Sequence, residues 1–125
     1  MSSPLKGIKI LDLTHMLAGP YGTMVLADLG AEIIKIEPPL KGEITRNLLK
    51  NDPDYSVDGV GAYHLTLGRN KKSLTLDLKS DPGKNIFYQL VKKADVVIDN
   101  FSSGVTKRLK ICLLYTSPSP RDATL

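Results

Sequence analysis

KGIKILDLTHMLAGPYGTMVLADLGAEIIKIE, residues 6–37, has the pattern of a strand, a tight glycine-containing turn, a helix and a second strand. Ile8, Ile10, Leu11 and Leu13 make an apolar run of strand length, and residues 15–19 break it. Gly19 reads as the helix N-cap and Pro20 as the first helical residue, where its missing N–H costs nothing and its fixed φ is already helical. Over residues 21–29 of that helix, Met24, Val25, Leu26 and Leu29 cluster on one broad face. Gly30 stands where a left-handed residue ends a helix. Residues 31–36 (AEIIKI) form the second strand, with Glu37 at its carboxyl end. A unit of this kind points the N–H groups of a helix N-terminus towards the carboxyl ends of parallel strands, where open α/β sheets bind anionic ligands.

Composition sets the wider frame. The 125 residues suffice for one modest domain, and 42% hydrophobic with 24% charged residues is an ordinary globular balance. Seventeen basic against thirteen acidic side chains leave a net charge of +4. That mild excess suits an anionic small ligand better than a nucleic-acid surface, and no Lys/Arg block is long enough to coat a duplex. One cysteine, Cys112, excludes a disulfide framework and a thiolate metal cluster. No apolar stretch reaches membrane-spanning length and no signal-like core opens the chain, so the expected location is the cytoplasm.

Beyond Glu37 the punctuation changes. Pro38 and Pro39 stop the strand, and residues to about 62 are rich in Pro, Gly, Asn and Asp. A short helix is expected over 43–49 with Ile44, Leu48 and Leu49 on one side. So long a connection is either a flap over a site or a surface loop. Residues 63–67 (YHLTL) read as a short buried stretch. Leu74, Leu76 and Leu78 alternate with Ser73, Thr75 and Asp77 as a half-buried strand. Asp81 and Pro82 open the next helix as N-cap and first residue, Ile86, Phe87, Leu90 and Val91 give its buried face, and Lys92 and Lys93 suit its C-terminus. A fourth strand spans 94–99 (ADVVID), a loop spans 100–104, and a helix starts at Val105. Alternation of strand and helix predicts an α/β fold with a Rossmann-like, mainly parallel sheet and flanking helices.

The last fifteen residues follow neither periodicity. CLLYTSPSPRD, residues 112–122, resembles the conceptual translation of a transposase adapter used in shotgun sequencing libraries. Residues 1–111 are therefore expected to be the biological portion and 112–125 a non-native tail.

Candidate chemistry lies at the strand ends. A dinucleotide fingerprint would need G-x-G-x-x-G after the first strand, but residues 17–22 read LAGPYG and keep only Gly19 and Gly22. A nicotinamide-dependent oxidoreductase is disfavoured on that ground, although Glu37 lies where a ribose-binding acid would. Arg69, Asn70, Lys71 and Lys72, with Lys79 beyond, could grip phosphates or form a solvated connection. Asn100 and Phe101 follow the fourth strand, where an amide can read a base edge and an aromatic can stack on it. Each also has a plain reading, as turn residue and core plug. Arg108 could meet a phosphate or simply face solvent. His15 and His64 have no acid or metal partner in the local sequence, which favours structural roles for both.

In order, residues 5–39 (LKGIKILDLTHMLAGPYGTMVLADLGAEIIKIEPP), 69–80 (RNKKSLTLDLKS) and 94–109 (ADVVIDNFSSGVTKRL) strongly resemble the N-terminal region of family III CoA-transferases. This superfamily includes formyl-CoA transferase, crotonobetaine CoA-transferase and α-methylacyl-CoA racemase. The resemblance implies a CoA-binding Rossmann-like portion of an enzyme whose two chains interlock in a homodimer. By position it implies CoA contacts at Leu17 and Ala18 in the first turn. Leu76, Asp77, Leu78 and Lys79 would line the nucleotide end, Asn100, Phe101 and Ser102 would follow the fourth strand, and Arg108 would lie near a phosphate. Leu17 replaces a glutamine found in several relatives, Pro38 an arginine that touches the nucleotide, and Ser103 the usual proline.

The resemblance also implies the reaction. A catalytic aspartate attacks an acyl-CoA thioester, forms a mixed anhydride, and passes through an enzyme-bound CoA thioester before CoA reaches a carboxylic acid acceptor. That aspartate belongs to a motif downstream of these residues, and none of Asp28, Asp77 or Asp99 matches it. No metal is implied. The alternatives are an acyl-CoA racemase on the same scaffold and an inactive CoA-binding remnant.

Overall fold

The computed structural model describes residues 3–111, so the expected tail over 112–125 lies outside the described residues. The first unit is β1 (Lys9–Asp12), α1 (Ala18–Asp28) and β2 (Glu32–Glu37). A 3-10 turn (Ile44–Asn47), the two-residue strands β3 (Ser56–Val57) and β4 (Val60–Gly61), and α2 (Ala62–Leu67) fill the connection that follows. Then come β5 (Lys71–Thr75), α3 (Asp81–Val91), β6 (Val96–Ile98) and α4 (Val105–Leu109). No described helix is long and apolar enough to cross a membrane.

The main sheet has the order β5-β2-β1-β6 and every pairing in it is parallel. Ile10 lies level with Ile33 on one side and Val96 on the other. Because side chains alternate along a strand, the two faces have separate cores. Ile10 and Ile33 pack against Ala27 of α1 and Ala31. Leu11, Leu13, Ile36 and Leu76 pack on the opposite face with Phe87 of α3 and with Ile111. Phe87 is 0% exposed, and full burial of such a side chain is worth roughly 1.5–3 kcal/mol. The α/β class and the parallel sheet expected from the sequence are both present.

Several local expectations shift. Helix α1 begins at Ala18 with Leu17 as N-cap, so Gly19 and Pro20 both lie inside the first turn. Proline is tolerated there because the first-turn N–H groups have no intrahelical partner. The other end follows the prediction: Gly30 has φ +101°, its N–H donates to Ala27 O, and the Ala31 N–H donates to Leu26 O. These two bonds make a Schellman stop. Ser80, not Asp81, caps α3, its hydroxyl accepting from the Gly83 N–H at 3.1 Å. Strand β5 starts two residues earlier than expected and ends at Thr75, and β6 keeps only three residues.

Three apolar assignments change. Ile86 is 46% exposed, leaving Phe87 to plug the core with Leu90 and Val91 beside it. Over 43–49 the structure forms a 3-10 turn whose Ile44, Leu48 and Leu49 face out while Glu43 and Thr45 face in. The inward side is polar because the residues it meets, Glu37 and His64, are polar. Residues 63–67 are helical, with His64 and Leu67 buried and Tyr63 and Leu65 exposed.

Candidate functional site

The strand order reverses between β1 and β6, and α/β sheets open a crevice at the carboxyl ends beside such a point. Here the segments after β1 and β6 meet. The Leu13 N–H extends the pairing by donating to Ile98 O at 2.8 Å. Two residues on, the Asn100 amide clamps His15 from both sides. The His15 N–H donates to Asn100 Oδ1 at 2.9 Å, and Asn100 Nδ2 donates to the His15 carbonyl at 2.8 Å. The Phe101 ring lies 5.4 Å from the His15 ring, tilted by 41°.

A cleft of about 220 Å³ opens beside this pair. Its walls are Leu13, Ile36, Leu76, Leu78 and Phe101, and its rim carries His15, Asp77 and Lys79. Complete small-molecule pockets run to roughly 300–1,000 Å³, so the cleft has room for a ring system and not for an entire cofactor. Asp77 shapes the rim: its carboxylate accepts the Lys79 N–H and its carbonyl accepts the Ser80 hydroxyl.

Glu37 also borders the cleft, but its carboxylate is already engaged. It accepts Arg46 Nε at 2.6 Å and Nη2 at 2.7 Å, the Ser73 hydroxyl at 2.7 Å and the Glu43 N–H at 2.8 Å. Burial alone would push this carboxyl up. The Arg46 fork and the other donors outweigh it and hold the pKa at about 2. The acid that stands in a ribose-binding position in the sequence is thus the centre of an internal ion pair.

The basic cluster is likewise already paired within the chain. Arg69 Nη2 lies 2.6 Å from Asp28, which also accepts from Asn70, and Lys72 pairs with Glu32 at 2.8 Å. The Lys71 side chain is buried, and its ammonium donates to Asp12, the Pro20 carbonyl and Thr23. Burial lowers its pKa, with Asp12 opposing that shift. These four residues sit at the amino end of β5, away from the cleft. Of the predicted phosphate grips only Lys79 stands at the cleft.

Both histidines have an acid neighbour that local sequence does not reveal. Glu43 lies 3.5 Å from His64 Nδ1 and 3.9 Å from His15 Nδ1. His64 is buried, with Nδ1 also 3.1 Å from the Thr45 hydroxyl. Burial lowers the pKa of both rings, so both are neutral at pH 7. His64 fits the structural role expected of it, whereas His15 lines the cleft. Its position directly after a strand was the signal that could have found it. Glu43, inside a Pro/Gly-rich connection, offered none.

The predicted site residues divide accordingly. Leu76, Asp77, Leu78, Lys79 and Phe101 meet in the cleft. Asn100 stands behind it, holding His15. Leu17 and Ala18 form the start of α1 on the other side of that turn. Ser102 caps the following loop, its carbonyl accepting the Val105 N–H, and Arg108 lies on exposed α4; neither lines the cleft.

Comparison with known proteins places this geometry. The family model described as CoA-transferase family III matches residues 5–113. A formyl-CoA:oxalate CoA-transferase of Bradyrhizobium sp. (strain ORS 278) is 44% identical over 109 residues, covering 87% of this chain and 25% of that protein. An acetyl-CoA:oxalate CoA-transferase of Acetobacter aceti is 44% identical over 106 residues, covering 85% and 26%. Among solved structures, a CAIB/BAIF family protein from Brucella suis superposes with a TM-score of 0.80 at 36% identity, covering 90% of this chain and 29% of that one. Rv3272 from Mycobacterium tuberculosis gives 0.77 at 37%, covering 89% and 29%. The chain thus spans about a quarter of the length of the curated relatives it matches. With a parallel sheet, a cleft at its switch point and a family match across nearly all described residues, the chain belongs to CoA-transferase family III.

Proposed function

We propose that residues 1–111 are the CoA-binding portion of an enzyme that moves CoA from an acyl-CoA donor to a carboxylic acid. The observation that carries this reading is the cleft beside the His15–Phe101 pair, with an apolar wall, an aromatic ring and Lys79 at its mouth. Such a lining suits the nucleotide end of CoA: the ring can stack on a base, and the ammonium can meet a phosphate as a point charge. Leu76, Asp77, Leu78, Lys79, Asn100, Phe101 and Ser102 are the proposed contacts. Leu17 and Ala18 would offer helix N-terminal N–H groups, and Arg108 would serve a phosphate beyond the cleft.

The acyl transfer itself would use a carboxylate outside these residues, forming an aspartyl anhydride and then an enzyme-bound thioester. The names of the relatives favour transfer over racemisation. Those names, formyl-CoA:oxalate and acetyl-CoA:oxalate, suggest a small dicarboxylate as acceptor. The full-length protein would act as an interlocked homodimer in the cytoplasm.

The test is calorimetric titration of the full-length polypeptide with CoA and, separately, with oxalate. Lys79→Ala and Arg108→Ala should each weaken CoA by about tenfold, the worth of one charge-assisted contact, and leave the acid unchanged. Equal loss of both ligands would overturn the phosphate roles. Absence of CoA binding by the wild type would overturn the function. The 125-residue product alone should show no CoA transfer.

A further inference from the structure

The turn between β1 and α1 is held in an uncommon way. At three of its residues, Thr14, His15 and Met16, five backbone polar groups are taken by side chains, four of them from more than twenty residues away in sequence. The Thr14 N–H donates to Asp12 Oδ1 at 2.9 Å, and the Thr14 carbonyl accepts Lys35 Nζ at 2.7 Å. Asn100 takes both groups of His15. The Met16 N–H donates to Glu43 Oε1 at 2.9 Å. Met16 itself has φ +67°, a left-handed conformation that a side chain other than glycine adopts only when its surroundings hold it there.

Glu43 is the one anchor that comes from the long excursion after β2. It is 1% exposed, and its two oxygens do different work. Oε2 stays within its own loop, accepting the N–H and hydroxyl of Thr45 and lying 3.5 Å from His64. Oε1 crosses to the turn and accepts from Met16, 27 residues away in sequence. The next residue on is Leu17, followed by Ala18, and the preceding one is cleft-lining His15.

We infer that Glu43 is a positioning residue for the acyl-CoA ligand. Through Oε1 it fixes the left-handed Met16 peptide, and so aims His15 into the cleft and the first N–H groups of α1 towards the same ligand. The inference rests on the CoA-binding reading given above. It separates the two oxygens: the Oε1 bond serves ligand binding, and the Oε2 bonds serve the stability of the excursion.

Two variants of the full-length polypeptide test that separation. Glu43→Asp keeps the charge beside Thr45 and His64 but is one methylene short of Met16. It should bind CoA about tenfold or more weakly, the worth of a lost charge-assisted bond, with an unfolding midpoint close to wild type. Glu43→Gln keeps an oxygen that reaches Met16 but sets an NH2 against the Thr45 N–H. It should lower the unfolding midpoint while its folded form binds CoA within about threefold of wild type. The Met16 amide should exchange slowly in the wild type and fast in Glu43→Asp. Tenfold weaker binding by both variants in proportion to lost stability, or unchanged binding by Glu43→Asp, overturns the inference while leaving CoA binding intact. A wild-type Met16 amide that exchanges at the rate of an open chain overturns it even if no variant folds. A wild type that binds no CoA overturns the functional reading itself, and the positioning role falls with it.

Discussion

The two faces of the sheet are built from different materials. Under α3 and α4 the core is Leu11, Leu13, Ile36, Leu76, Phe87 and Ile111, all apolar. Under α1 and the long excursion only the lower half is apolar, around Ile10 and Ile33. The upper half, nearest the carboxyl ends, buries Asp12, Lys35, Glu37, Glu43, Thr45 and His64. Lys71 and Lys35 both approach Asp12, at 3.2 and 3.9 Å, while Arg46 forks onto Glu37. No buried side-chain polar atom among the described residues is left without a hydrogen-bond partner. The apolar face needs only shape and volume, whereas each member of the polar face needs specific partners, because a lone buried charge is costly. A face of the second kind holds one arrangement of its loops, which is what a ligand site at the strand ends requires.

The contrast can be broken most forcefully on the apolar side. Phe87→Ala should cost about 3–5 kcal/mol, read as a lower urea midpoint of the full-length polypeptide. Arg46→Ala should come next, at about 2–3 kcal/mol near neutral pH, because it strands the buried Glu37 carboxylate. Its sign with pH is fixed. Glu37 has its folded pKa depressed from 4.5 to about 2, so its stabilisation is complete above about 4.5 and is lost as pH falls towards 2. The gap between wild type and Arg46→Ala should therefore narrow across that interval in acid titrations of stability. A gap that stays constant would mean that Arg46 acts by packing alone. Ser80→Ala, which removes the α3 cap, should cost about 1 kcal/mol and show no such pH dependence. Smallest of all, Lys72→Ala, on the exposed pair with Glu32, should leave the midpoint unchanged within error.

The same contrast explains what could be read in advance. Ile10, Leu11 and Leu13, the run 31–36, and Phe87 with Leu90 and Val91 announce themselves by periodicity, since burial of apolar surface imposes a repeat. Gly30 and the helix stop after it were legible because only glycine takes that conformation freely. Phe101 stood out by its place after a strand and Leu76 to Lys79 by the ordered family motifs, and these residues line one cleft. Arg69, Lys71 and Lys72 read as free cations because their acids, Asp28, Asp12 and Glu32, are about 40 to 60 residues away. Glu43 and Ile44 misled for the related reason that a polar interior reverses the usual meaning of in and out. Ion pairing across a fold leaves no period in the chain.

The position of β1 has a consequence in time. It is made before the other described strands, yet it lies inside the sheet, with β2 on one side and β6 on the other. Lys9 pairs its N–H with Asp95 across 86 residues, and Asn100 reaches His15 across 85. At roughly 5–20 residues per second, a ribosome needs about 4 to 17 seconds between making β1 and delivering the residues that close its open edge. During that interval the nascent chain can assemble β1, β2 and β5, but the His15 clamp has no partner. The turn between β1 and α1 is therefore among the last parts of this segment to take its final shape during synthesis.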